Sequence, residues 1–217
     1  MNKVLKILLD RRYRLFQPLR TRRHQLFLRV MRPGSNSTIL DVGGTPGWWN
    51  QHNYQGKVVL ANIQDRTHYP NLSSNFEYVQ ADGRRLLFQD KNFDIVFSNS
   101  VIEHVGTWVD QVSFAQEIRR VGKTYWIQTP SRSFPFEPHF NCPLFQYLPL
   151  SIRLIIAKDW PLSWPKRYGQ DAQEFARSTR LLNAGQLRDL FPDGKLYRER
   201  FVGLTKSIVV WKVGEHV

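Results

Sequence analysis

The apolar positions of this chain fall into short, evenly separated runs. Thr38–Val42, Lys57–Ala61, Phe76–Gln80, Phe93–Phe97 and Thr124–Gln128 are rich in β-branched and aromatic residues, and each reads as a strand. Two further runs, Lys195–Arg200 and Ser207–Lys212, read as closing strands near the end. Residues 108–121 carry Val109, Val112, Phe114, Ile118 and Val121 partly in helical register, and Ala184–Phe191 reads as another helix. Strands alternating with helical or loop crossovers predict an α/β fold, a mostly parallel sheet covered on both faces. In such sheets ligands sit beyond the carboxyl ends of the strands, where the strand order reverses.

Two segments depart from the alternation. Residues 131–183 hold six prolines, Trp160 and Trp164, and the apolar phrase Tyr147–Ile156. That is too long for a plain connection after the fifth strand, so it is read as an inserted cap over the strand ends. At the other end, Leu5, Leu8 and Leu9 are spaced as one face of a short amphipathic helix. Pro18 is expected to end or kink it, with a second helical piece over residues 20–31 carrying Leu26, Phe27, Val30 and Met31. The breaker cluster Pro33–Ser37 joins this segment to the body, which divides the chain into residues 1–35 and 36–217.

Charge sharpens that division. The 217 residues carry a formal net charge of +13. Residues 1–35 hold ten basic side chains and one acid, so +9; the rest hold 21 basic and 17 acidic, so +4. A polyanionic partner therefore concerns mainly the first 35 residues: an anionic membrane surface first, nucleic acid second. The Val4–Leu9 stretch is too short for a secretory core, and no run approaches a membrane span. The expected location is cytoplasmic, peripheral to the inner face of a membrane. One cysteine, Cys142, excludes an internal disulfide framework and a CxxC zinc site, and no metal site is read from the sequence.

The richest chemistry follows the first strand, in Asp41-x-Gly43-Gly44-x-x-Gly47. Glycines let the backbone approach a ligand closely. An acid two residues ahead of them would repel a pyrophosphate but suits a cationic or zwitterionic end. The spacing thus argues against a nicotinamide dinucleotide and toward a ligand with an amino-acid head.

The segment Leu40-Asp41-Val42-Gly43-Gly44-Thr45-Pro46-Gly47 resembles the first motif of class I S-adenosylmethionine-dependent methyltransferases, LDVGxGxG. Gln80–Phe88 is similar to the segment after the third strand, with its Ala81-Asp82 pair. Phe93-Asp94-Ile95-Val96-Phe97-Ser98-Asn99-Ser100-Val101-Ile102-Glu103-His104 is similar to the fourth-strand motif of the small-molecule, type 11-like branch. The resemblance implies a Rossmann-like seven-stranded sheet, S-adenosylmethionine as cofactor, and in-line methyl transfer to a small-molecule acceptor, lipid-linked or sugar-like. It implies that Gly43, Gly44 and Gly47 line the methionine portion and that Asp41 holds its ammonium. Asp82 and Gly83 would meet the adenine, and Asn99 and Ser100 would face the sulfonium.

Two departures stand out. Asn62 occupies the end of the second strand, where most members place a ribose-binding acid, and Pro46 replaces a small residue in the glycine turn. Trp48 and Trp49 read as core aromatics rather than cofactor contacts. Candidate bases for an acceptor proton are His139, His104 and Glu137, with His139 favoured. Arg132 could bind an acidic acceptor. An RNA methyltransferase using the basic segment, with Tyr13, Phe16 and Phe27 among its arginines, is the second reading. A non-catalytic binding protein on the same fold is the third.

Overall fold

The computed structural model describes residues 3–167 and 169–214, with side chains described from Arg14 onward and that of Arg167 excepted. Two compact units emerge, residues 1–32 and 33–217. The first is one helix, α1 (Lys3–Met31), which runs through Pro18. Of the two outcomes expected at Pro18, an end or a kink, the helix does not end: the proline removes one donor and crowds one carbonyl, and the helix continues past it. The side chains of Leu5, Leu8 and Leu9 lie outside the described residues.

The second unit is built on a seven-stranded sheet. Its elements in chain order are β1 (Ile39–Val42), α2 (Pro46–Gln51), β2 (Val58–Asn62), β3 (Phe76–Gln80), β4 (Phe93–Asn99), α3 (Trp108–Val121) and β5 (Gly122–Pro130). A two-stranded hairpin follows, β6 (Phe136–Glu137) and β7 (Cys142–Pro143), then α4 (Leu150–Asp159), α5 (Trp164–Arg167) and α6 (Ala172–Ser178). The chain closes with α7 (Ala184–Leu190), β8 (Lys195–Phe201) and β9 (Leu204–Lys212). The sheet order is β3-β2-β1-β4-β5-β9-β8. Strands β1 to β5 are parallel, whereas β9 is antiparallel to both β5 and β8. The mostly parallel seven-stranded sheet is the one expected. Its order reverses between β1 and β4, so the carboxyl ends of those strands frame the cleft.

Burial explains why these runs are strands. All four residues of β1 are buried, as the centre of a sheet covered on both faces requires. Leu40, Val42, Val96, Phe114, Ile118, Tyr125, Ile127, Leu187 and Val210 form one apolar core. Helix α3 turns Phe114, Ala115, Ile118 and Val121 inward, and a Thr107–Asp110 capping box fixes its start. Val109, expected on that face, is instead 71% exposed. It stands in the first turn of α3, two residues before Gln111, the first residue the helix buries. The crossovers between β2 and β3 and between β3 and β4 contain no α-helix.

The 131–183 stretch folds as β6, β7 and α4–α6 around a core of its own. Phe140, Cys142, Phe145, Ala157, Ala172 and Ala176 are buried there. Among the described residues no helix is long and apolar enough to cross a membrane.

Candidate active site

The glycine turn begins where β1 ends. Gly43 donates its backbone N–H to the Ala61 carbonyl at 2.7 Å, binding the turn to β2. Its φ of +75° lies in the left-handed region, and a Cβ there would stand 2.5 Å from Val101. At Gly44 the constraint is closer still: a Cβ would fall 1.9 Å from a carboxylate oxygen of Asp41. The turn therefore lies directly on that carboxylate. Gly47 sits in the first turn of α2, exposed.

Asp41 is 2% exposed. The Trp49 indole donates to its Oδ2 at 2.7 Å, while Oδ1 is buried without a hydrogen-bond partner. Burial raises the Asp41 pKa to about 7, against the lowering effect of the Trp49 bond. Trp49 is wholly buried against Phe97 and Tyr54, so it is a core aromatic that also orients the carboxylate.

The remaining candidates cluster at the ends of neighbouring strands. Asn62 closes β2 and donates its Nδ2 to the Gly44 carbonyl at 3.1 Å, tying the strand end to the glycine turn. Beyond β3, Asp82 accepts the Arg84 backbone N–H at 2.9 Å and grips the Arg84 guanidinium with both oxygens. These hydrogen bonds hold its pKa below the usual carboxylate range. Gly83 packs where a Cβ would strike Phe114 and Val42 at 2.6 and 2.8 Å. Asn99 ends β4, and Ser100, with φ +59°, donates its hydroxyl to Gln128 at 3.0 Å. Nine predicted residues thus converge on the carboxyl ends of β1 to β4.

The three candidate bases also meet. His139 Nδ1 lies 2.7 Å from Glu137 Oε1, and the two histidine Nε2 atoms are 3.1 Å apart. Thr179 Oγ1 stands 3.3 Å from His104 Nδ1. One set of protons satisfies the whole chain: Thr179 donates to His104, His104 to His139, and His139 to Glu137. Burial, then the neighbouring His139, lowers the His104 pKa to about 3, so this ring is neutral.

Glu103, one residue before His104, is wholly buried. It accepts the Thr129 hydroxyl at 2.9 Å, and burial raises its pKa to about 7. Glu103, His104 and His139 offer ligand atoms within 4.8 Å of one another, a spacing that also suits a divalent cation.

Sequence reasoning missed Thr179, Arg153 and Arg180 as neighbours of this network. They come from the cap and from the link to α7, and no local spacing marks them.

Residues 50–124 match a family model described as a methyltransferase domain. The uncharacterized proteins MT1557 and Rv1509 of Mycobacterium tuberculosis are each 36% identical over 66 residues, covering 30% of this chain and 22% of theirs. The chain thus spans about a fifth of the length of these relatives. In fold, it is similar to a Haemonchus contortus phosphoethanolamine N-methyltransferase 2 solved with S-adenosyl-L-methionine. That likeness has a TM-score of 0.59 at 12% identity, over 90% of this chain and 53% of the other. It is similar, too, to the complex of a Haloferax volcanii putative methyltransferase with the Trm112 methyltransferase activator, at TM-score 0.57, 11% identity and 95% and 94% coverage. About a third of the chain, residues 50–124, thus matches a methyltransferase domain, and the fold of the whole resembles that of solved methyltransferases.

Proposed function

We propose that this protein transfers a methyl group from S-adenosylmethionine to a small-molecule acceptor held beneath the cap. The observation that carries the reading is the unpartnered Oδ1 of Asp41 under the glycine turn, at the point where the sheet order reverses. A buried oxygen without a donor calls for a cationic partner. The ammonium of an amino-acid head group suits it in charge, and the missing side chain at Gly44 lets the backbone turn lie directly against the carboxylate.

In this reading Gly43, Gly44 and Gly47 line the methionine portion and Asp41 holds its ammonium. Asn62 reaches the ribose through Oδ1, its Nδ2 being held by Gly44. Asp82 and Gly83 meet the adenine, and Asn99 and Ser100 border the reacting centre. Asn62 lacks the charge-assisted strength a carboxylate would bring to the ribose.

When bound, S-adenosylmethionine supplies an activated methyl group and a neutral leaving group. The protein's own work is to align the acceptor and exclude water. His139 is the proton acceptor: with its Nδ1–H held by Glu137, its Nε2 keeps a lone pair, engaged by His104 until the acceptor takes that place. Glu137 then stabilises the imidazolium as it forms, as a carboxylate does behind any catalytic histidine. His104, neutral and fixed by Thr179, positions the His139 ring.

The test is transfer of labelled methyl onto extracts of host metabolites and lipids. Label in a small molecule is expected. Label only in RNA, or no transfer from a protein that binds the cofactor, contradicts the proposal. The net charge of +9 over residues 1–35 supports attachment to an anionic lipid surface. The full chain should float with anionic vesicles and not with neutral ones; equal behaviour with both would refute that attachment.

A further inference from the structure

Beside the histidine network lies a cavity of about 200 Å³. Three arginines from three separate elements face it: Arg132 just after β5, Arg153 on α4, and Arg180 between α6 and α7. Among the described residues none of these guanidiniums lies within salt-bridge distance of a carboxylate. The Arg153 Nε is buried and has no hydrogen-bond partner. Glu137 is the acid in the lining, and its two oxygens are already held by His139 Nδ1 and the Phe140 backbone N–H. Three positive charges against one thus leave the cavity at +2.

Arg153 and Arg180 are not loose surface groups, and Arg132, though exposed, is held at its backbone. Arg180 lies over the Trp108 ring at 4.9 Å, donates to the Gln111 side chain, and its backbone N–H bonds the Glu103 carbonyl at 2.7 Å. The Arg132 carbonyl accepts from Tyr147 Oη at 2.8 Å and Gln146 Nε2 at 3.2 Å. Arg153 donates to the Ala176 carbonyl at 3.4 Å. Burial, then the charge of Arg132, depresses the pKa of both Arg153 and Arg180. Like charges gathered in a half-closed cavity are unfavourable without an anion between them, and guanidinium forks match the geometry of carboxylate and phosphate.

We infer that this cavity binds the anionic end of the acceptor, a phosphate monoester or a carboxylate, through Arg132, Arg153 and Arg180. Two lining residues link it to the proposed base: Glu137 bonds His139, and Thr179 bonds His104. An acceptor anchored there would present its other end to His139. Identifying the anion as part of the acceptor rests on the methyltransferase reading; the anion site itself does not.

The experiment is calorimetric titration of the full-length protein with inorganic phosphate and, separately, with acetate. Arg153→Met, Arg132→Met and, as a control outside the cavity, Arg188→Met are titrated alongside. Saturable binding of one anion to wild type is expected, weakened about tenfold or more by Arg153→Met and unchanged by Arg188→Met. Tighter phosphate assigns a phosphate monoester; tighter acetate assigns a carboxylate. Arg132 is exposed, so its variant tests the site even if Arg153→Met fails to fold. No saturable binding of either anion, or equal loss in Arg188→Met, overturns the inference. S-adenosylmethionine is titrated into the same samples: anion binding without cofactor binding removes the methyltransferase reading and leaves the anion site standing.

Discussion

Replacing Asp41 by asparagine isolates the consequence of keeping an acid under the glycine turn. In the folded protein burial holds its pKa at about 7, while in the unfolded chain it titrates near the ordinary value of about 4. As pH rises the unfolded state loses this proton first. The stability associated with Asp41 is therefore complete below about pH 4, declines as pH rises toward about 7, and is flat beyond. The slope is about 1.4 kcal/mol per pH unit, so about 4 kcal/mol is lost across the window. The amide oxygen of the substituted side chain would still accept from the Trp49 indole, and the amide has no charge to bury. Urea unfolding of wild type and Asp41→Asn across this range is the assay. The variant should gain on wild type steadily up to about pH 7 and hold a constant lead above it. A difference independent of pH would refute the reasoning. Cofactor binding should run the opposite way, because an ammonium is held by the ionised carboxyl. Wild-type affinity should rise about tenfold per unit as pH approaches 7, and that of Asp41→Asn should stay weak and flat.

Gly44→Ala would drive a methyl group into the Asp41 carboxylate and break its bond to Trp49. A loss of about 1–3 kcal/mol in urea unfolding is expected, with weaker cofactor binding; wild-type values for both would show that the turn has room to spare. His139→Ala should lower kcat by about 10²–10⁴ while leaving cofactor affinity nearly unchanged, as single-turnover and calorimetric measurements on one preparation would show. Equal losses in the two quantities would make His139 a binding residue rather than a base.

The sheet was legible because each of its strands writes itself locally. Ile39–Val42 is short, β-rich and largely apolar, and the glycines that follow can only be a turn. The proposed cofactor side was legible for the same reason, since its residues are the last ones of strands or the first ones after them. Asp41 shows where that ended. Its bond to Trp49 spans eight residues and depends on how α2 packs against Phe97, which no spacing rule conveys.

The proposed acceptor side was legible only as a list of residue types. His104 and His139 are separated by 35 positions and meet only because the loop between β6 and β7 returns to the turn that follows β4. Arg132, Arg153 and Arg180 lie on three elements with no common period, so their convergence is a product of tertiary folding. At Pro18 the local rule allowed an end or a kink, and the helix does not end there.

In the proposed function the carboxyl ends of β1 to β4 hold S-adenosylmethionine. The most direct test is calorimetric titration of the cofactor into wild type, Gly43→Arg and Asp82→Ala, each first confirmed folded by circular dichroism. One site on wild type is expected, with binding abolished by the arginine that fills the turn and weakened by loss of the Asp82 carboxylate. Wild-type affinity in both folded variants would contradict it.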